Sequence, residues 1–178
     1  MKEQIGLTRQ VAASEGLQIK QSVLILAAAI CMPMLTHLIP VQSSTPMGAM
    51  LLPIFYAPFI ALIFFRFHVA LIPALLAPVV SHFITGHPAM HLLPVMTTEL
   101  VMFVGIAYLL LTKAGKLAWV AAPLAYIGAK AGSMLLLTIF PGLLNIAPID
   151  FAITSISNAV VGLGILLVIN ILCLRLKR

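Results

Sequence analysis

Residues 76–103 read LAPVVSHFITGHPAMHLLPVMTTELVMF, two apolar stretches joined by a Gly-His-Pro turn. The second stretch carries Glu99, about two helical turns beyond that turn. A charged side chain in bilayer hydrocarbon costs about 2.5 to 3.5 kcal/mol on insertion scales, so such a residue usually faces a cavity or a partner. Lys130 is the other charged residue inside an apolar stretch. The sequence therefore makes this carboxylate and this ammonium the first candidates for function.

The composition predicts an integral membrane protein. Hydrophobic residues make up 62% of the 178 residues and charged residues only 8%, and the mean hydropathy is +1.18. Such a chain cannot form a soluble domain with a wetted surface. The net charge of +6 does not predict a nucleic-acid partner, because the basic residues lie between apolar stretches instead of clustering on one face. At about 20 residues per span, six helices nearly exhaust the chain and leave no room for a separate catalytic domain.

Turn and loop signals divide the chain into an N-terminal segment, residues 1–21, a six-span domain, residues 22–174, and a basic tail, residues 175–178. The first segment mixes charged and apolar residues, which suits a position at the membrane surface. Pro53 and Pro58 lie within the second span and predict a kink or an unwound start, because proline lacks the backbone donor. The predicted spans are 22–39, 47–65, 69–85, 92–111, 117–140 and 151–174. We therefore expect an all-α protein with six transmembrane helices in one bundle.

Basic residues indicate the orientation. The chain has ten lysine and arginine residues, and all except Lys130 fall before the first span, in the turns after the second and fourth spans, or after the sixth. In a six-span protein these positions share one side, and the loops of the other side contain no lysine or arginine. The positive-inside rule then predicts that both termini are cytoplasmic in a multi-pass protein of the cell inner membrane.

Several polar residues are predicted to lie at one depth. Glu99 is about 10 Å from the outer face, and Lys130 is about 20 Å up a core of about 30 Å from the inner face, so both lie in the outer half. Polar residues of the sixth span start from the outer face and fall in the same layer. A pocket with a cation, a carboxylate, an amide and hydroxyls among Met, Phe and Tyr suits a small polar organic solute. The predicted substrate-binding residues are Glu99, Lys130, Tyr126, Ser133, Thr154, Asn158, Met96 and Phe103.

The fifth span is predicted to have two different faces. One face carries residues at i, i+4, i+7 and i+11, namely Tyr126, Lys130, Ser133 and Leu137. Gly128 and Gly132 form a GxxxG pair on roughly the opposite face. We therefore expect the glycines to pack against a neighbouring helix while the lysine points elsewhere.

Simpler alternatives exist for these residues. Glu99 and Lys130 can neutralise each other as a purely structural pair. His37, His87 and His91 lie near the outer face, but no Cys or carboxylate completes a ligand set, so we expect no metal and no cofactor. The sequence contains no GxSxG, HExxH or Walker pattern and no Cys cluster, so no enzymatic activity is expected and ATP-driven work would come from another polypeptide.

Short motifs between residues 47 and 100 resemble those of a known family. They are Met50-Leu-Leu-Pro53, Tyr56-Ala-Pro58, Ala77-Pro78, Thr85-Gly86-His87-Pro88, and Leu93-Pro94 followed by Glu99-Leu100. With its size and six predicted spans, the chain resembles the substrate-binding S components of energy-coupling factor (ECF) vitamin transporters. The fifth and sixth spans are similar in layout only.

This resemblance implies binding of a vitamin or similar micronutrient from outside, in a pocket formed by spans four to six and capped by outer loops. It also implies partners, namely one membrane-embedded coupling subunit and two ATPase subunits, with the S component toppling in the bilayer. The Ala-xxx-Ala docking surface often found in the first span is represented here only by Ala27 and Cys31. The Met-His-Ile start and nearby Asp-Gly of the nickel and cobalt members are absent.

Two other functions are compatible with the sequence. One is a membrane scaffold or assembly protein in which Glu99 and Lys130 are structural, and the other is a stand-alone ion- or proton-coupled carrier that uses Glu99. For a transport subunit, Lys130 suggests a ligand with a carboxylate or phosphate, and the Met and Phe content favours an apolar ring. Pantothenate, folate, biotin, a pyrimidine precursor and corrinoids all stay open.

Overall fold

The computed structural model describes the backbone of residues 2–37 and 47–177 and the side chains of residues 14–36 and 47–177. All regular elements in these ranges are helical. The helices are α1 (Lys2–His37), α2 (Met47–Leu51), α3 (Pro53–Phe64), α4 (Phe67–Thr85), α5 (Leu93–Lys113), α6 (Ala121–Ile139), α7 (Pro148–Asn158) and α8 (Val160–Lys177). Short 3₁₀ helices, Met90–Leu92 and Gly115–Val120, lead into α5 and α6.

Within the described residues, six helical segments are long and apolar enough to cross a membrane, which confirms the predicted all-α membrane fold. They are Ser14–Thr36, Met47–Phe64, Phe67–Thr85, Met90–Lys113, Gly115–Ile139 and Val160–Lys177. The protein is therefore a multi-pass membrane protein. The side on which each terminus lies stays a prediction, and the predicted end of the first span at residue 39 lies outside the described residues.

The first helix is longer than the predicted span. α1 runs without interruption from Lys2 to His37, so residues 2–21 continue the helix of the first span. No proline lies between Lys2 and Met32, so every residue of this segment keeps the backbone donor that a continuous helix uses. The surface position of residues 1–21 stays a prediction.

The second span is interrupted at Leu52, as its prolines predict. Leu52 separates α2 from α3 and adopts a left-handed conformation, with φ 57° and ψ 37°. Pro53 follows and has no N–H to continue the hydrogen-bond ladder. The Tyr56 hydroxyl donates to the Leu51 carbonyl and so satisfies one backbone group at the break. Left-handed leucine is unfavourable by about 1 to 2 kcal/mol, so packing must hold this conformation in place.

Gly162 of α8 is one residue that packs against this break. A Cβ atom at Gly162 would lie 2.7 Å from the Cγ of Leu52 and 2.7 Å from the carbonyl oxygen of Met50. Because the second contact is with backbone, it cannot be relieved by a side-chain rotation. Glycine at this position therefore lets α8 approach the interrupted helix.

The prediction of one continuous helix for the sixth span, residues 151–174, is wrong. α7 ends at Asn158, and α8 begins at Val160. The backbone N–H of Ala159 is shared between the carbonyls of Ser155 (3.1 Å) and Ile156 (3.2 Å), a pattern common at helix ends. Of the two helices, only α8 has the length and hydropathy to cross the membrane, so the polar residues Thr154 and Asn158 belong to a separate short helix.

α3 is the central helix of the bundle. In an apolar 18-residue stretch of its span, Met47–Phe64, 61% of the residues are buried inside the protein. The corresponding share is 17% for the first span and 22% for the last. A helix that is apolar all round is expected in such a position. Its Phe55 ring lies edge-on to Phe103 of α5 at 5.0 Å and to Tyr126 of α6 at 5.3 Å. These aromatic contacts join α3, α5 and α6 beneath the predicted site.

Candidate functional site

Glu99 and Lys130 form a buried ion pair. The Lys130 Nζ donates to the Glu99 Oε1 at 2.7 Å, and each side chain is only 6% exposed. The contact joins α5 to α6. A pair at this distance and burial interacts much more strongly than one at a wetted surface, but it also loses hydration energy.

Aromatic rings complete the surroundings of the lysine. The Nζ of Lys130 lies 5.1 Å from the ring centroid of Tyr126 and 5.1 Å from that of Phe151. An ammonium over an aromatic face is attracted by the ring quadrupole. The ammonium is thus held between one carboxylate and two rings, with Tyr126 on its own helix and Phe151 on α7.

The ion pair lies in the wall of a cavity of about 430 Å³. The cavity is bounded by the α2–α3 break, the end of α4, the start of α5, and α6 and α7. Most of its lining is apolar, and the polar groups are few. Its lining includes Leu52, Phe55, Ser81, Val95, Met96, Glu99, Tyr126, Lys130, Phe151, Thr154, Ser155 and Asn158. A volume of this size with a few polar groups is typical of small-molecule sites.

Six of the eight predicted site residues line this cavity, and two do not. The six are Glu99, Lys130, Tyr126, Thr154, Asn158 and Met96. Ser133 is fully buried, and its hydroxyl donates to the Lys130 carbonyl at 3.0 Å. Phe103 is also fully buried and packs against Phe55, because it lies one turn beyond Glu99 where α3 fills the space. Helical periodicity gave the correct face for both residues but not their distance from the cavity.

The expectation that Lys130 points away from the helix that packs on the glycines is wrong. A Cβ atom at Gly128 would lie 2.8 Å from the Cδ1 of Ile106, and one at Gly132 would lie 3.0 Å from the Cγ of Met102. Both contacts are with α5, and α5 also carries Glu99. The close approach that glycine permits brings α5 within reach of the long lysine side chain.

Phe151 was missed by the sequence analysis, although a signal for it was present. Phe151, Thr154, Ser155 and Asn158 follow i, i+3, i+4 and i+7 spacing, which places the ring on the polar face of its helix. The structure brings all four to the cavity.

The turn after α4 borders the cavity and is held by local hydrogen bonds. α4 ends at Thr85 and is followed by Gly86, which has a φ of 74° and whose N–H donates to the His82 carbonyl at 2.8 Å. The His82 Nδ1 lies 2.8 Å from the Pro88 carbonyl oxygen and must donate, since a carbonyl can only accept. The Thr85 hydroxyl donates to the Ser81 carbonyl at 2.8 Å. Among the residues described by the structure, no three His, Cys, Asp or Glu side chains group so as to hold a metal ion.

Asn170 is another residue that the sequence analysis did not single out, and it is a buried polar residue away from the cavity. It is fully buried in α8, and its Nδ2 donates to the carbonyls of Ala118 and Trp119, each at 2.9 Å. Its Oδ1 accepts the N–H of Ala122 at 3.1 Å. An amide alone in an apolar span is the signal that could have identified it.

The fold and the cavity together define a multi-pass helical membrane protein with a mostly apolar internal cavity and an ion pair in its wall. Comparisons of the chain with protein-family models, with curated proteins and with solved structures found no match.

Proposed function

We propose that this chain is the substrate-binding subunit of an ECF-type importer. It captures a vitamin or related micronutrient in the cavity beside Glu99 and Lys130 and presents it to a coupling subunit and two ATPase subunits. The observation that carries the proposal is an ion pair in the wall of a 430 Å³ cavity. Six of the predicted site residues, including both partners of the pair, line this cavity. The motif resemblance between residues 47 and 100 supports the type of importer.

The ion pair has hydrogen-bonding capacity left for a ligand. An ammonium has three N–H donors, and Lys130 uses one of them on the Glu99 Oε1. A carboxylate has two acceptor oxygens, so the Oε2 of Glu99 is available in addition. A ligand with a neighbouring acceptor and donor could therefore bind the pair without breaking it.

The charge of the site favours a neutral ligand. Lys130 alone suggests an anionic group, but Glu99 lies 2.7 Å away and the pair has no net charge. An anion would gain attraction from the lysine and meet repulsion from the carboxylate. A compact neutral heterocycle, such as a pyrimidine precursor, matches both the charge and the mostly apolar lining.

Mass spectrometry of small molecules that copurify with the protein identifies the ligand directly. Titration of that compound into purified protein should then show that Lys130→Met weakens binding by about 10- to 100-fold, because it removes a charge-assisted contact of about 1.5 to 3 kcal/mol. Lys113→Met is the matched control, since Lys113 is exposed at the end of α5 and does not line the cavity. Equal affinity of the two variants would contradict the proposed site.

A structural role for the ion pair is the second candidate. Burial of both side chains to 6% exposure favours it, because buried pairs can serve only to join helices. In that case the protein would be a scaffold or assembly protein, and no small molecule would copurify with it.

A further inference from the structure

A second cavity lies at the opposite end of the bundle. It has a volume of about 500 Å³ and is bordered by the turn between α3 and α4, the last turns of α5 and the end of α8. Glu99 and the first cavity lie near the start of α5, whereas Tyr108 and Thr112 of the second cavity lie near its end. The two cavities therefore open at different ends of the membrane-spanning helices.

Exposed basic residues line this second cavity. Arg66 and Lys177 both line it and are both exposed, and His68 lies beside Arg66. No Asp or Glu is among the described residues that line it. Among the described side chains, the ion pair found is that of Glu99 with Lys130, so no described carboxylate pairs with Arg66 or Lys177. Two exposed basic side chains on one cavity rim attract an anionic group.

Apolar side chains form the rest of the wall. Leu62 and Leu111 line the cavity, together with the rings of Phe67 and Tyr108, whose centroids are 4.9 Å apart. A soluble phosphate would use the basic rim and leave these surfaces without a partner. A phospholipid has both a phosphate for the rim and acyl chains for the apolar wall.

We propose that this cavity binds the headgroup of an anionic phospholipid, whose phosphate accepts hydrogen bonds from Arg66 and Lys177. The chemistry shared with free phosphate is a charge-assisted N–H···O contact, which is short and stronger than a neutral one. The position favours the lipid, because the cavity lies at the ends of membrane-spanning helices, and such helices end near the headgroup region of a bilayer. Basic pockets between transmembrane helices bind anionic headgroups in this way.

The test uses full-length protein in detergent, titrated with phosphatidylglycerol and followed by native mass spectrometry. Each basic residue near an anionic lipid contributes about fivefold in affinity, so Arg66→Gln with Lys177→Gln should weaken binding about 30-fold. Lys177→Gln alone should weaken lipid binding about fivefold. Because Lys177 lies at the end of α8, this variant leaves the α3–α4 turn unchanged. Lys113→Gln with Lys116→Gln is the matched control, since it removes the same charge at the same end from residues that do not line the cavity.

Separate arms distinguish the possible sources of phosphate. Phosphatidylcholine should bind more weakly than phosphatidylglycerol, and excess inorganic phosphate or glycerol 3-phosphate should not displace the lipid. Equal losses in the cavity and control variants would overturn the proposal by showing diffuse attraction to the basic end. Displacement by soluble phosphate would overturn it in favour of a soluble-anion site.

Discussion

The ion pair of Glu99 with Lys130 and the amide of Asn170 both join helices through buried polar groups. They differ in how many of their hydrogen-bond donors and acceptors have no partner among the residues that the structure describes. Asn170 directs both its donor and its acceptor atoms to backbone groups at the start of α6. Lys130 uses one of three donors on Glu99, and both residues line a cavity. A buried polar group that local backbone satisfies is structural, whereas one with spare capacity on a cavity wall can recognise a ligand.

The backbone around Asn170 explains why it needs no cavity. The first N–H groups of a helix have no partner within that helix. The N–H of Ala122, at the start of α6, is satisfied by Asn170 from α8 instead. The amide therefore acts as a cap supplied by a neighbouring helix, and it fixes α8 against the entry to α6.

Replacing only one partner of the ion pair should have the largest effect on stability. Lys130→Met leaves Glu99 buried without its counter-charge and should lower the free energy of unfolding by about 3 to 5 kcal/mol. The double variant Glu99→Gln with Lys130→Met should recover much of this loss but not the ligand affinity. Thermal unfolding and ligand titration of both single variants and the double variant measure the two quantities. Full recovery of stability, with ligand affinity unchanged in every variant, would leave the pair with a structural role alone.

Replacing the asparagines of the two regions by leucine should separate stability from binding. Asn170→Leu leaves two carbonyls and one N–H without their amide partner, and at about 1 kcal/mol for each group it should cost about 3 kcal/mol of stability. Ligand affinity of the folded protein should not change. Asn158→Leu is the matched control, since Asn158 lines the cavity and is only half-buried.

For Asn158→Leu the opposite pattern is expected, with weaker ligand binding and little loss of stability. Thermal unfolding and titration of both variants test this contrast. If Asn170→Leu weakened binding as much as Asn158→Leu, the separation of the two regions would be incorrect.

Removing one of the two aromatic rings beside Lys130 should have the smallest effect on ligand binding. Phe151→Leu eliminates a cation–π contact at 5.1 Å, worth about 0.5 to 1 kcal/mol, and should weaken ligand binding about two- to fivefold if the ring helps to position the ammonium. Phe140→Leu is the control, because Phe140 is exposed and does not line the cavity. Identical titration curves for the two variants would show that the ring is only packing.

The membrane fold could be predicted because its signals are local. Long apolar stretches mark the spans, and Pro53 marks the break that the structure has at Leu52. Glu99 and Lys130 were identifiable because charges inside apolar helices are costly. The break at Ala159 carries no proline or glycine, so the sequence gives no local sign of it.

Other features depend on contacts between distant residues. The angular position of Ser133 and Phe103 follows from helical periodicity, but their separation from the cavity does not. Phe103 is kept from the cavity by Phe55 of α3, and the Ser133 hydroxyl bonds to the backbone of its own helix. Likewise, the glycines of α6 and Lys130 contact the same helix because close packing brings α5 near both. Hydropathy contains no information about such distances.

The contact of Asn170 with Trp119 also supplies an optical probe. The chain has a single tryptophan, and its carbonyl accepts a hydrogen bond from Asn170 at 2.9 Å. Trp119 lies just before α6, whereas Tyr126 and Lys130 of the cavity lie further along that helix. Its emission spectrum therefore reports solvent access at the α6–α8 junction, without an introduced label, in the same sample in which ligand occupancy is measured by titration.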